Sequence, residues 1–204
     1  MQARSYVDDG RALVRLATAQ GGFFTSKQAA AIGYTAPKRN YHVNAGNWVR
    51  ERRGIFRLAL HPLPSRPDLV LWWLWSCNRQ DEPQGIYSHQ TALSLHELTD
   101  VMPSRVHMSI PSDFRRSAAI PKALVLHLAD VPAAEVEIVD GVPVTKALRT
   151  LLDVASAEAV PIEDLRAAFA EAKRTGKITR SEIAEAESDQ TRHDLLRKLK
   201  GGKR

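Results

Sequence analysis

In the first sixty positions apolar residues recur first at helical and then at strand spacing. Over residues 7–20 they fall three and four apart, at Leu13, Leu16 and Ala17. Asp8 and Asp9 precede them, where a helix N-terminus favours negative charge. Gly21-Gly22 closes this helix, because glycine readily takes the left-handed conformation of a helix end. Phe23-Phe24-Thr25 is long enough for a minimal strand, and Ser26 is placed to cap an alanine-rich helix over 27–32. After a tight turn at Gly33-Tyr34, Thr35 caps a third helix that runs to about Gly46, with Pro37 in its first turn. Two strand-like runs then flank Arg52-Arg53-Gly54, which predicts a hairpin.

Beyond residue 60 the pattern changes. Three prolines in residues 61–67 read as a linker. Asp68 stands as the cap of a helix carrying the apolar run 69–75, and Ser88 as the cap of another with Ala92, Leu93, Leu95 and Leu98. Strands are expected at 105–110, 124–128, 136–139 and 142–145. In the first, Val106, Met108 and Ile110 alternate with Arg105, His107 and Ser109. Leu148, Leu151, Leu152 and Ala155 form one stripe of a helix over 146–157, and two more helices follow at 162–173 and 181–198, the lysine-rich end fraying. The predicted fold class is α+β. A winged helix-turn-helix domain at 1–60 and a linker at 61–67 precede a mixed α+β domain at 68–204 with a helical C-terminal region.

Composition narrows the class. Hydrophobic residues make up 44% of 204 and charged ones 25%, which excludes a wholly disordered chain. The single cysteine, Cys77, excludes a disulfide framework and a multi-cysteine zinc site, and reads as a small buried hydrophobe. The run at 69–75 is far short of a membrane span, and the start MQARSYVDD has no signal-peptide core, so a cytoplasmic protein is expected. Charge is unevenly spread. Residues 1–60 hold ten Lys/Arg against three Asp/Glu, residues 61–146 seven against ten, and residues 147–204 twelve against ten. The basic excess sits at the amino end and points to a polyanionic partner.

The third helix carries side chains suited to such a partner. Arg pairs bidentately with guanine, Asn with adenine, and Lys with phosphate. Lys38, Arg39, Asn40 and His42 are therefore candidate contacts to double-stranded DNA, and Arg50, Arg52 and Arg53 would point cations from the hairpin at the backbone or minor groove. The helical wheel leaves the buried face open, since Tyr41 and Ala45 lie on one side and Ala36 and Val43 on another. A single copy makes few base contacts, so an inverted repeat is the expected operator. Two other readings stand beside this one: a small helical domain with a solvated basic hairpin, and an interaction module for an acidic protein. Trp72, Trp73 and Trp75 could stack on unpaired bases, but an uncharged apolar run on a helix signals burial.

Catalytic signals are poor. His89 and His96 lie seven apart, not at the spacing of a zinc-binding helix pair, so no metal is expected. The nearest nuclease candidates, Asp153 and Glu171 with Lys173, fall on predicted helices. There Glu171 and Lys173 point about 200° apart. Asp130, Glu135 and Glu137 lack a following lysine, and no phosphate-binding, dinucleotide or nucleophile-elbow motif occurs. Neither an enzyme nor a cofactor is expected.

Three stretches share a family likeness. HVNAGNWVRERRGIFRLA (42–59) resembles the end of the winged helix in AbiEi-type antitoxins of type IV toxin–antitoxin systems. YSHQTALSLHELTDVMPSRVHMSIP (87–111) is similar to that family's helix-then-strand segment, and DGVPVTKALRTLLDVA (140–155) to its strand-then-helix element. Together they span about residues 8–155 in matching order. The resemblance implies a cytoplasmic antitoxin that binds operator DNA through the hairpin arginines and the polar residues of the third helix. It also implies repression of the antitoxin's own operon, a role in phage defence, and neutralisation of a cognate nucleotidyltransferase-like toxin, for which no motif here fixes a residue.

Overall fold

The computed structural model describes residues 6–116 and 119–201, with Tyr6 known only in its backbone. The opening residues 1–5, part of the stretch taken to lack a signal peptide, lie outside it. The chain is mixed α+β and divides into two compact units, residues 1–84 with 140–142, and residues 85–139 with 143–204. Among the described residues no helix is long and apolar enough to cross a membrane.

The first unit runs α1 (Tyr6–Ala19), β1 (Phe23–Thr25), α2 (Ser26–Ile32), α3 (Ala36–Asn44), β2 (Trp48–Arg52), β3 (Ile55–Leu58) and α4 (Pro67–Trp75). Its three strands are antiparallel in the order β1-β3-β2, with Phe24 opposite Phe56 and Trp48 opposite Leu58. The stripe predicted on α1 is buried: Leu13 and Ala17 pack with Phe24, Ala29, Tyr34, Trp48 and Phe56. Each large side chain in such a core contributes roughly 1.5–3 kcal/mol by leaving water. The cap of α2 is Thr25, not Ser26. Its hydroxyl accepts from the Gln28 amide while the Gln28 side chain accepts from the Thr25 amide, which satisfies two free helix-end donors.

Residues 61–67 do not divide the units; the break falls after Gln84. Helix α4 packs on β1 and β3, burying Leu69, Leu74, Trp72 and Trp75. The segment behind it is tied back as well. Thr25 Oγ1 donates to Asp81 Oδ2 at 2.6 Å, and the Lys27 ammonium donates to the carbonyls of Asn78 and Arg79 at 3.4 and 3.0 Å. The prolines thus make a loop within one unit. Asp68 sits in the first turn of α4 and pairs with Arg66, which occupies the cap position. Cys77 is only half-buried and bridges to Pro83.

The second unit comprises β4 (Ile86–Tyr87), α5 (His89–Leu95), β5 (Val106–Ile110), β6 (Leu124–Leu128), β7 (Val136–Val139), β8 (Val142–Thr145), α6 (Ala147–Ala157), α7 (Ile162–Arg174), α8 (Arg180–Ser188) and α9 (Gln190–Lys200). The sheet order is β6-β5-β4-β8-β7, with β5 parallel to β6 and β4 parallel to β8. The two-residue strand β4 at its centre gives too short a pattern to predict. Met108, Ser109 and Ile110 are all buried, so β5 does not keep the expected alternation. Leu148, Leu151 and Leu152 join Leu165, Phe169, Leu196 and Leu199 in the core. The single helix expected over 181–198 is two. Asp189 takes an extended backbone (φ −99°, ψ 123°), ends α8, and caps α9 by accepting from the Arg192 amide.

Candidate nucleic-acid interface

Helix α3 buries none of its nine residues, although it lies inside a packed unit. Only one edge touches the core, through partly buried Val43 and through His42. The His42 ring lies parallel to Trp48 at 4.7 Å and edge-on to Tyr34 at 5.4 Å, while its Nδ1 is 3.2 Å from the Asn47 amide nitrogen. Burial lowers the His42 pKa below the ordinary 6.5, so the ring is neutral at pH 7. The start of the helix is fixed by side chains reaching backward: Arg39 donates to the Tyr34 carbonyl at 2.7 Å and Lys38 to that of Gly33 at 3.3 Å. The outward face then carries Asn40, Tyr41 and Asn44, with Tyr41 64% exposed and the exposed Lys38 on the flank.

The β2–β3 hairpin turns at Arg53-Gly54, where Gly54 has φ +81°, a region open to glycine at little cost. Arg50 pairs with Phe56 and Arg52 with Ile55, so Glu51 is an extra, bulged residue that breaks the strand's two-residue alternation. The arginines consequently part company. The Arg50 guanidinium lies 5.4 Å from the centre of the Phe56 ring and 3.4 Å from Asn40 Oδ1, which joins the strand to α3. The Arg52 guanidinium lies 4.1 Å from the centre of the Trp72 ring on α4. Arg53, at the turn, is exposed and makes no ion pair or hydrogen bond among the described residues. Glu51 is the only acidic residue between positions 10 and 67, and Arg57 binds it at 2.8 Å.

All seven candidate residues therefore lie on α3 or β2–β3, in two different states. Lys38, Asn40, Arg50, Arg52 and Arg53 are exposed. Arg39 and His42 face the unit itself: a half-buried guanidinium bound to a carbonyl and a ring in an aromatic stack. Arg52 is held against an indole as well as exposed, which places it beside the turn and not at its tip. Tyr41 and Asn44 complete the outer face. The wheel alone did not select them, because α3 has no apolar stripe to orient it.

The second unit gathers His89, His107 and His127, which the sequence separates widely. His89 stacks on His127 at 3.5 Å and 9°, and His107 Nδ1 is 3.0 Å from His127 Nε2. Burial, then the neighbouring imidazoles, pushes His89 to about 3 and His107 to about 4. Among the described residues no group of three or more His, Cys, Asp or Glu is arranged to hold a metal ion. Three of the five carboxylates weighed for nuclease chemistry are engaged by arginine. Asp153 accepts from Arg149 at 2.8 Å, Glu135 is bound by Arg149 and Arg192, and Glu171 pairs with Arg174. Lys173, the expected partner of Glu171, lies instead over the Phe169 ring at 5.6 Å. Compared with known protein families and with curated proteins, the chain matches none.

Proposed function

We propose that residues 6–58 act as a winged helix on duplex DNA, with α3 in the major groove and the β2–β3 turn on the adjacent backbone. The observation that carries this reading is the unburied helix α3, braced by aromatic stacking on one edge and bare on the other. A helix that buries nothing gains little stability from tertiary packing. A face of Asn40, Tyr41 and Asn44, flanked by Lys38, is instead suited to reading base edges and phosphates. Arg50, Arg52 and Arg53 supply the cations, and the one nearby acid is already neutralised by Arg57. Arg39 and His42 hold the helix in place, and Asn40 with Tyr41 contacts the bases. With the likeness of the three sequence stretches, we extend the proposal to an AbiEi-type antitoxin that represses its own operon and counteracts a nucleotidyltransferase-like toxin.

Fluorescence anisotropy of a labelled promoter duplex, and of a random one, over a salt series tests the DNA part. Each phosphate neutralised contributes about −0.9 to the slope of log K against log salt. Arg50→Ala with Arg53→Ala should flatten the slope by about 2 on both duplexes, and Asn40→Ala should weaken the promoter selectively. Binding that ignores salt, or a double variant with the parent slope, overturns the proposal. Co-expression with a nucleotidyltransferase-like toxin encoded alongside the chain tests the antitoxin part, with restored growth as the expected result.

A further inference from the structure

A groove of about 750 Å³ opens in the second unit, bounded by the loop after α5 and the junction of α6 with α7. Its floor is apolar: Leu93, Leu98 and Ala168 are buried beneath it, and Val160 is partly covered. Its edge adds two large apolar side chains that are left in water. Val101 is 73% exposed and lines the groove, and the adjoining Met102 is 60% exposed. Ser94 Oγ donates to the Met102 sulfur at 2.9 Å, and the Val101 amide donates to Thr99 Oγ1 at 3.1 Å. Glu97 holds φ +57°, an unusual conformation for a non-glycine residue, within the same loop.

Every ionisable side chain lining the groove is acidic: Glu97, Asp100, Asp164 and Glu171. Glu171 is matched by Arg174, which among the described residues leaves three carboxylates facing the opening without an ion pair. In a chain of net charge +6 this is a local reversal of sign. A phosphate-bearing ligand is repelled here, so the occupant differs in kind from the polyanion met by α3. An apolar floor, an adaptable methionine at the lip and an acidic rim match an amphipathic helix with a basic face.

We propose that this groove docks a lysine- or arginine-rich amphipathic helix of a partner protein. The apolar anchors, spaced i, i+3 or i+4 and i+7, lie on Leu93, Leu98 and Val160. The basic residues meet Glu97, Asp100 and Asp164, and Val101 and Met102 close over the edge. The proposal does not depend on DNA binding.

The full-length protein is titrated against a labelled synthetic helix with leucine anchors and lysine elsewhere. The control is the same peptide with glutamate in place of lysine. Asp100→Lys with Asp164→Lys should weaken the lysine peptide at least about tenfold, since two surface attractions become repulsions. Val101→Ser with Met102→Ser should weaken it without altering its salt dependence. Both double variants should keep the parent's circular dichroism, and Val101→Ser with Met102→Ser its DNA affinity, which separates failure here from failure of the DNA reading. Equal binding of the two peptides, or variants that leave the lysine peptide unaffected, overturns the proposal. So does a self-associating parent that Asp100→Lys with Asp164→Lys renders monomeric, because the occupant is then a second copy of this chain.

Discussion

Replacing His89 by asparagine should remove a defined part of the acid sensitivity of folding. His89 opens α5 with φ +52°, is 8% exposed, and stacks on His127. Burial, with His127, His107 and Arg149 adding to it, holds the ring near a pKa of about 3 against the ordinary 6.5. Between those values the unfolded chain binds a proton that the native chain refuses, so stability falls as pH drops below 6.5 and stops falling near 3. At pH 5 an unfolded histidine is about 97% protonated, and the slope is about 1.3 kcal/mol per pH unit. Integrated from pH 7 to pH 5, His89 accounts for about 2 kcal/mol of lost stability. His107, pushed to about 4, acts in the same direction but is closer to solvent and contributes less. Asparagine tolerates the left-handed backbone and does not titrate, which makes it the right substitution. Urea unfolding of parent and His89→Asn at pH 7, 6 and 5 reads the difference. The variant should lose about 2 kcal/mol less than the parent over that range. Parallel stability–pH curves would show that His89 protonates natively near its ordinary value, and that the buried stack is wrong.

Trp48→Ala should cost about 3–5 kcal/mol in urea unfolding, because the indole packs on Phe24, Tyr34 and His42 at 4.8, 5.0 and 4.7 Å. DNA affinity should fall with it, since α3 rests on that ring; a loss under 1 kcal/mol contradicts the packing. Glu135→Gln should destabilise the second unit by about 1–3 kcal/mol by removing the charge that Arg149 and Arg192 share. Burial alone would raise the Glu135 pKa, but the two guanidinium hydrogen bonds outweigh it and hold it below the usual value. The stabilisation is therefore full above the usual carboxylate pKa and lost as pH falls through the lowered one. The parent should accordingly lose its advantage over Glu135→Gln only once the pH falls below the usual carboxylate range, measured by thermal unfolding.

Helices with a clear stripe were legible from residues alone. Leu13 and Ala17 on α1, and Leu148, Leu151 and Leu152 on α6, are buried where their spacing puts them. Boundaries that depend on one side chain's hydrogen bond were not. Thr25 and Ser26 are both good caps, and only the position of Gln28 relative to each decides between them. The prolines at 61–67 carry a true signal for irregular backbone but none for where the chain goes next. Contacts of Thr25 with Asp81, 56 positions apart, determine that. The histidine cluster is invisible for the same reason, since adjacent parallel strands bring His107 and His127 together across 20 residues. On α3 and the β2–β3 hairpin, residue type located the cations, while the bulge at Glu51 and the stack on Trp48 decided which side chains face outward.

The arginines of β2 show how little the number of cations says about a binding surface. An arginine left free in solvent must surrender roughly 2 kcal/mol of rotamer entropy when it grips a phosphate. Arg50, over Phe56 and beside Asn40, and Arg52, over Trp72, are already confined on aromatic faces that leave them exposed. Such stacking is attractive by about 0.5–1 kcal/mol at exposed sites, too weak to trap the charge but enough to bias its direction. Arg53 keeps its full freedom at the turn. On the proposed winged-helix reading, the two stacked arginines would set the register of the hairpin on a duplex, and Arg53 would adjust to whatever phosphate lies nearest. A helix with an unburied face needs that bracing. Asn40 can test a base only if α3 arrives at a fixed height, and the Asn40–Arg50 contact ties that height to the strand carrying the charges.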